Sequence, residues 1–205
     1  TRLRDFWFSL RLKAASPAEN PFWGKFSGFF PSPPSGKEIV VVLADDRSVL
    51  GIPALFRGDR RVYAQTLKNI SEGRPKVIAF DIFFPSVTAQ DEEQDTILAE
   101  TVKKLGNVVL KSFRRGDEQI TPPFPALAVA GSVAPSYFRA HVDEAVRKAS
   151  ALFRPALKEP ILSFQAETAR IYWGIPIEKV NFGERELVFQ LSSGPYSITL
   201  HEGEF

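Results

Sequence analysis

With 205 residues, 44% of them hydrophobic and 24% charged, the chain has the make-up of an ordinary globular protein and a length that fits one domain. A net charge of +2 and the lack of any Lys/Arg run offer no argument for nucleic acid as a partner. No stretch approaches the roughly 18 consecutive apolar residues of a membrane span, no signal-peptide h-region is visible, and the absence of cysteine excludes disulfide frameworks, thiol chemistry and cysteine-ligated zinc. Methionine is also absent, even at position 1. The simplest expectation is an internal piece of a longer chain; the other is that modified methionines are missing from the sequence.

Residues 1–13, TRLRDFWFSLRLK, place Leu3, Phe6, Trp7 and Leu10 on one apolar face with cations largely around it. That is a short amphipathic helix, packed on a core or leaving a bilayer with its cations near headgroups. Five prolines make residues 16–36 a loop. Within it PFWGKFSGFF carries Phe22, Trp23, Phe26, Phe29 and Phe30. These aromatics either cover the core or form a contact surface for headgroups, a dimer partner or an apolar ligand.

Residues 39–84 hold the organising pattern. Two apolar runs, 39–43 and 77–80, read as buried parallel strands, because both faces of such strands are covered. Between them Val62, Tyr63, Thr66, Leu67 and Ile70 fall on one helix face, with Asp59 as N-cap and Gly73 and Pro75 as the stop. The spacing predicts a βαβ unit. A second βα unit follows: a polar loop SVTAQDEEQD, a helix with Ile97, Leu98, Val102 and Leu105 inward, a closing Gly106 and a buried strand over 108–113. The economical topology is α/β, a Rossmann-like and mostly parallel sheet flanked by helices. Residues 114–160 read as irregular, and 161–173 as a helix ended by Gly174 and Pro176. The alternation in LVFQL (187–191) and in 196–205 predicts an antiparallel C-terminal pair of strands joined by SSGP.

Three carboxylates, Asp45, Asp46 and Asp81, are expected at the carboxyl ends of the two strands, the edge where open α/β sheets bind ligands. Such a set could hold a hard cation or act as an acid/base pair. Equally, each could cap a following helix. His141 with Arg139, Asp143 and Arg147 forms a polar cluster that either serves a site or satisfies loop backbone; a metal there would need remote ligands. The acids of QDEEQD read as a solvated helix start. No nucleophile elbow, zinc helix, P-loop or dinucleotide fingerprint is present.

The pieces IVVVLADDRSV, DRRVYAQTL, PKVIAFDIFF and GNVVLKSF resemble the core of the CHASE-2 domain, the second type of the bacterial extracytoplasmic sensory domains associated with cyclases and histidine kinases. The matching positions are Val40 to Val42, Asp45, Asp46, Ser48, Arg60, Tyr63, Ala64, Phe80, Asp81 and Phe84, with Val142, Asp143, Val146 and Arg147 in a later element and RDFWFSLR resembling the helix after the family's first membrane span. The loop IPALFRGD departs from the family's tryptophan- and proline-rich version, and PFWGKFSGFF has no counterpart in the pattern.

The resemblance implies one sensor domain over 1–205, ending short of the family's C-terminal strands and spans, with a juxtamembrane helix (1–15), an aromatic/proline loop (16–36) and an α/β core (37–205). It implies a non-catalytic input domain outside the cytoplasm, held in the inner membrane by flanking spans, most often upstream of a class III adenylate or guanylate cyclase. Histidine kinases, Ser/Thr kinases and diguanylate cyclases are the other outputs. Candidate ligand-binding residues are Asp45, Asp46, Ser48, Arg60, Asp81, Asp143 and Arg147. No cofactor is expected. The partner would be a small-molecule or protein signal, with a homodimer compatible and no nucleic acid. The competing reading is a soluble α/β enzyme with a divalent cation on Asp45, Asp46 and Asp81.

Overall fold

The computed structural model describes residues 39–88, 91–115, 119–136, 138–140, 146–154 and 159–200. The N-terminal helix, the aromatic loop with Phe22, Trp23, Phe26, Phe29 and Phe30, and the residues Arg139 (as a side chain), His141 and Asp143 lie outside the described residues. Two units make up the chain, Thr1–Gly51 and Ile52–Phe205.

In the first unit the described segment contains one short helix, α1 (Asp46–Gly51). The expected strand over 39–43 does not form: these residues join no ladder, and Ile39, Val40, Val41 and Val42 are 53% to 82% exposed. An apolar run becomes a strand only when a neighbour accepts its backbone hydrogen bonds; no described strand does so here. The βαβ unit expected over 39–84 is therefore corrected.

The second unit supplies the parallel pairing one element later. A short helix α2 (Pro53–Phe56) leads into α3 (Arg60–Ser71), then β1 (Ile78–Phe80), α4 (Glu92–Leu105) and β2 (Val108–Arg115). Asp59 caps α3 as its pattern predicts, its carboxylate accepting from the Arg61 amide at 3.0 Å. Hydrogen bonding from the Arg61 side chain holds the Asp59 carboxyl below its ordinary value. Helix α4 ends at Gly106, whose φ of 71° is the left-handed conformation that glycine adopts without penalty. Strands β1 and β2 are parallel, with Ile78 beside Val108 and Phe80 beside Leu110.

After β2 the chain forms β3 (Gln119–Thr121), a one-turn helix α5 (Pro125–Ala128), β4 (Ser132–Ser136), β5 (Phe138–Ala140), β6 (Val146–Ala149), β7 (Leu152–Phe153) and β8 (Ile161–Leu162). This span was expected to be irregular. Its strands are only two to five residues long and interrupted by proline, so no periodic signal accumulates. Strand β4 runs parallel to β2 and β3 antiparallel to it, and Phe113 faces both Thr121 and Ser136. Strands β3 and β4 thus flank β2 on opposite sides. The described pairings β5–β6 and β7–β8 are antiparallel. The sheet is consequently mixed: "mostly parallel" holds only for β1, β2 and β4.

The expected helix over 161–173 starts later, because Ile161 and Leu162 pair with β7. Helix α6 (Phe164–Tyr172) begins at Ser163, whose hydroxyl accepts from the Ala166 amide. A 3-10 turn (Ile177–Lys179) precedes β9 (Val180–Phe182), β10 (Glu186–Leu191) and β11 (Gly194–Thr199), an antiparallel meander. The C-terminal pair was legible; β9 was not.

Side-chain alternation along β2 divides the core. Val108 and Leu110 pack with Ala64 and Leu67 of α3, Leu98 and Val102 of α4, and Leu127 of α5. Val109 packs with Ala134 and with Phe164 of α6 on the other face. Each fully buried leucine here contributes about 1.5–3 kcal/mol of transfer free energy. Close approach is tightest at Gly131: a Cβ there would lie 2.9 Å from Val102 Cγ1 and 3.0 Å from the Val108 carbonyl. A third core joins Leu152, Leu162, Ala166, Ile175, Val180, Leu187 and Phe189. Mixed α/β is the class of the chain.

Helix α6 is fastened to β4 by a buried carboxylate. Glu167 accepts from the Ser132 hydroxyl and from Arg170 Nε at 2.8 Å and Nη2 at 2.6 Å. Burial alone would raise this carboxyl, but the bonds from Arg170 and Ser132 bring it net below its ordinary value. The folded pKa is thus below the unfolded one. The stability it adds is complete above the unfolded value of about 4.3 and is lost as pH falls through the folded value. Glu167→Gln should lower stability at neutral pH by about 1–3 kcal/mol and make urea midpoints less sensitive to acid; an unchanged acid slope would refute this role.

Candidate functional site

The carboxyl edge of β1, β2 and β4 is built by two devices. The first is an internal ion pair that fixes the chain leaving β1. Arg60 opens α3 and is 7% exposed; Asp95 lies in α4 and is 5% exposed. Their side chains form a salt bridge, and Arg60 also donates to the Ser86 carbonyl. Asp95 accepts from the Thr88 amide at 2.6 Å and from its hydroxyl at 3.2 Å, and Gln94 Oε1 accepts from the Arg60 amide at 2.8 Å. The guanidinium carbon sits 5.1 Å from the Phe84 ring centre and 4.6 Å from that of Phe124. Residues 84–88 are thereby held against α3 and α4. The guanidinium is already engaged on all these partners.

The second device is at the strand ends themselves. Asp81 follows β1, and its carboxylate meets Lys111 Nζ at 2.7 Å. Beside it the Phe83 and Phe113 rings stack with centres 5.9 Å apart. Asp81 is exposed, its side chain 60% accessible. An accessible acid, an amine and an aromatic pair therefore share the edge predicted to bear ligands.

The remaining candidates are placed as follows. In the first unit Asp45 Oδ1 accepts from the Ser48 amide at 2.8 Å and its hydroxyl at 2.7 Å, a capping arrangement at the start of α1. Asp46 is the first residue of α1. Arg147 belongs to β6, described through its backbone, and Asp143 lies outside the described residues. Among the described residues no group of three or more His, Cys, Asp or Glu could hold a metal ion, and no helix is long and apolar enough to cross a membrane.

Sequence reasoning misread one segment and missed several residues. QDEEQD was expected to be solvated, yet Gln94 and Asp95 are buried. The signal was available: Asp95 is three residues before Leu98 and seven before Val102, hence on the buried face. Lys111 was not singled out within the strand expected over 108–113. Arg114 and Ser112, both buried in β2, carried no pattern that marks them.

Asp95→Asn should cost about 3–5 kcal/mol, because it leaves the Arg60 charge buried without its counterion. Asp91→Asn, which removes a half-buried partner of the exposed Arg61 at 2.9 Å, should cost no more than about 1 kcal/mol. Urea unfolding of the two variants side by side measures the contrast, and equal effects would show that burial does not set the value of the Arg60 pair.

No curated protein and no solved structure matches the chain. The family model described as CHASE2 domain matches residues 1–202. That family is one of extracytoplasmic sensory domains. Spanning almost the entire length, together with the Asp81 strand end and the Arg60 helix start now seen in place, the match makes this chain a member of the CHASE2 domain family.

Proposed function

We propose that this chain is the ligand-sensing input domain of a bacterial transmembrane receptor, placed outside the cytoplasm by flanking spans and coupled to a class III adenylate or guanylate cyclase. The observation that carries the reading is the family match over residues 1–202. On this reading the fold is a Rossmann-like variant whose parallel strands β1, β2 and β4 present their carboxyl edge to the signal, and the domain itself catalyses nothing. A histidine kinase, Ser/Thr kinase or diguanylate cyclase in place of the cyclase would leave the sensing edge unchanged. Signal binding favours one of two packings of the receptor, and it does so only by the difference in affinity for the two.

The geometry that supports a sensing edge is the Asp81–Lys111 pair beside Phe83 and Phe113. A pair this accessible contributes about 0–1 kcal/mol to stability. Such a pair at a strand end suits contact with a ligand or a partner protomer better than it serves folding. In the full-length receptor Asp81→Asn should shift the melting temperature of the domain by no more than about 4 °C while altering basal cyclic-nucleotide output. Glu178→Gln, on the exposed 3-10 turn, should alter neither. Output that merely follows the loss of folded protein would overturn the sensing role of the edge.

Placement is tested separately. The chain has no cysteine, so Glu178→Cys introduces a single thiol into it. In intact cells making the full receptor, a membrane-impermeant maleimide should label this variant and leave the parent domain unlabelled. Labelling only after lysis would overturn the extracytoplasmic placement. Titration of the purified chain with calcium and magnesium addresses the competing cation-dependent reading, which requires a melting shift that Asp46→Ala abolishes.

A further inference from the structure

The run over 39–43 leaves an apolar surface uncovered. Ile39, Val40, Val41 and Val42 are all exposed, and none joins a ladder among the described residues. Consecutive β-branched residues favour extended backbone, and they gain stability from it when cross-strand neighbours cover them. A contiguous apolar surface of this kind marks a contact site. Leu50, on α1 of the same unit, is equally exposed but lies outside the run.

The residues around the run say what covers it. Lys37 and Glu38 precede it, and Asp45 and Asp46 follow it. Laid antiparallel about Val41 on a second copy, the run meets itself: Ile39 faces Leu43, Val40 faces Val42, and Val41 faces Val41. Lys37 then faces Asp45, twice over by the two-fold symmetry, and Glu38 faces Ala44. This is the one register in which the five apolar residues pair among themselves. A slip of one residue sets Glu38 against Asp45 in one direction and against Leu43 in the other. Parallel pairing in register sets Lys37, Glu38, Asp45 and Asp46 each against its own like charge. Asp45 keeps its bonds to the Ser48 amide and hydroxyl, because the Lys37 charge acts on it without displacing either. The run is therefore complementary to a second copy of itself in shape, in apolar character and in charge.

We propose that residues 39–43 are a self-association strand, pairing antiparallel with the same run of a second copy of this chain about a two-fold axis at Val41. The contact lies wholly within the first unit of each copy. It gives ladder partners to a run that has none among the described residues, and it covers part of the exposed Ile39 to Val42 surface. Being only five residues long, it belongs to the small, weak and reversible class of interfaces. It does not depend on the sensing role.

Sedimentation of the 205-residue chain from about 1 µM to about 1 mM should show a monomer giving way to a dimer. Val41→Asp sets two like charges face to face at the axis and should weaken the dimer about tenfold or more. Because Val41 is exposed, the melting temperature of a dilute, monomeric sample should stay the same. The lack of cysteine lets the register be read directly. Opposed residues stand about 4.5–5.5 Å apart at Cα, within disulfide reach, so Val41→Cys should cross-link to itself under mild oxidation. The two copies of position 39 stand on the order of 14 Å apart, so Ile39→Cys should link only when mixed with Leu43→Cys. Leu50→Cys, equally exposed, reports chance collision and should link more slowly than Val41→Cys. A chain that stays monomeric would overturn the proposal, whether the amides of 39–43 then exchange freely or are protected within one chain. So would a dimer that withstands Val41→Asp, growth beyond the dimer, or Ile39→Cys or Leu50→Cys linking to itself as fast as Val41→Cys.

Discussion

A positive charge buried at the start of a helix governs the second unit. Burying the Arg60 guanidinium among Phe84, Phe124 and the adjoining helices is costly unless a counterion and acceptors are supplied. Asp95 and the Ser86 carbonyl supply them, and Asp95 in turn takes the Thr88 amide and hydroxyl. One ion pair thus sets the register of α3 against α4 and the path of the chain out of β1. Removing the pair entirely in favour of apolar residues could leave stability intact. What would be lost is the specified position of residues 84–88, on which the geometry of the strand edge depends.

The edge itself separates two kinds of polar group. Asp81 is accessible and pairs at 2.7 Å with Lys111, which is partly buried. Arg60, Asp95, Glu167 and Arg170 are withdrawn and fully engaged. Arg114 is buried too, its guanidinium carbon 4.4 Å from the Phe153 ring centre.

The legible part of the fold was the part with long, uninterrupted periodicity. Helices α3 and α4 announced themselves through Tyr63, Leu67, Leu98 and Val102, and their ends through Asp59 and Gly106. The strand over 78–80 and the β10–β11 pair followed from apolar runs and alternation. The run over 39–43 is as apolar as β1 but lacks a ladder, and composition does not encode a neighbour. Strands β3 to β8 are too short to carry a period. Among site residues, Asp81 was found because it terminates an apolar run. Lys111 was not, since its pairing depends on register across β2, and Asp95 was hidden by the acidic residues around it.

The position of β2 has a consequence for the order in which the molecule assembles. It is the one described strand with three ladder neighbours, β1, β3 and β4, two of them reached through intervening helices. Pairings of that kind require closure of long loops before any contact rewards it, whereas the β10–β11 hairpin closes across a two-residue turn. The C-terminal hairpin can therefore zip within microseconds, while the central sheet waits for α4 and α5 to fold the chain back on itself. The slow event in forming this domain is the arrival of partners at its middle strand.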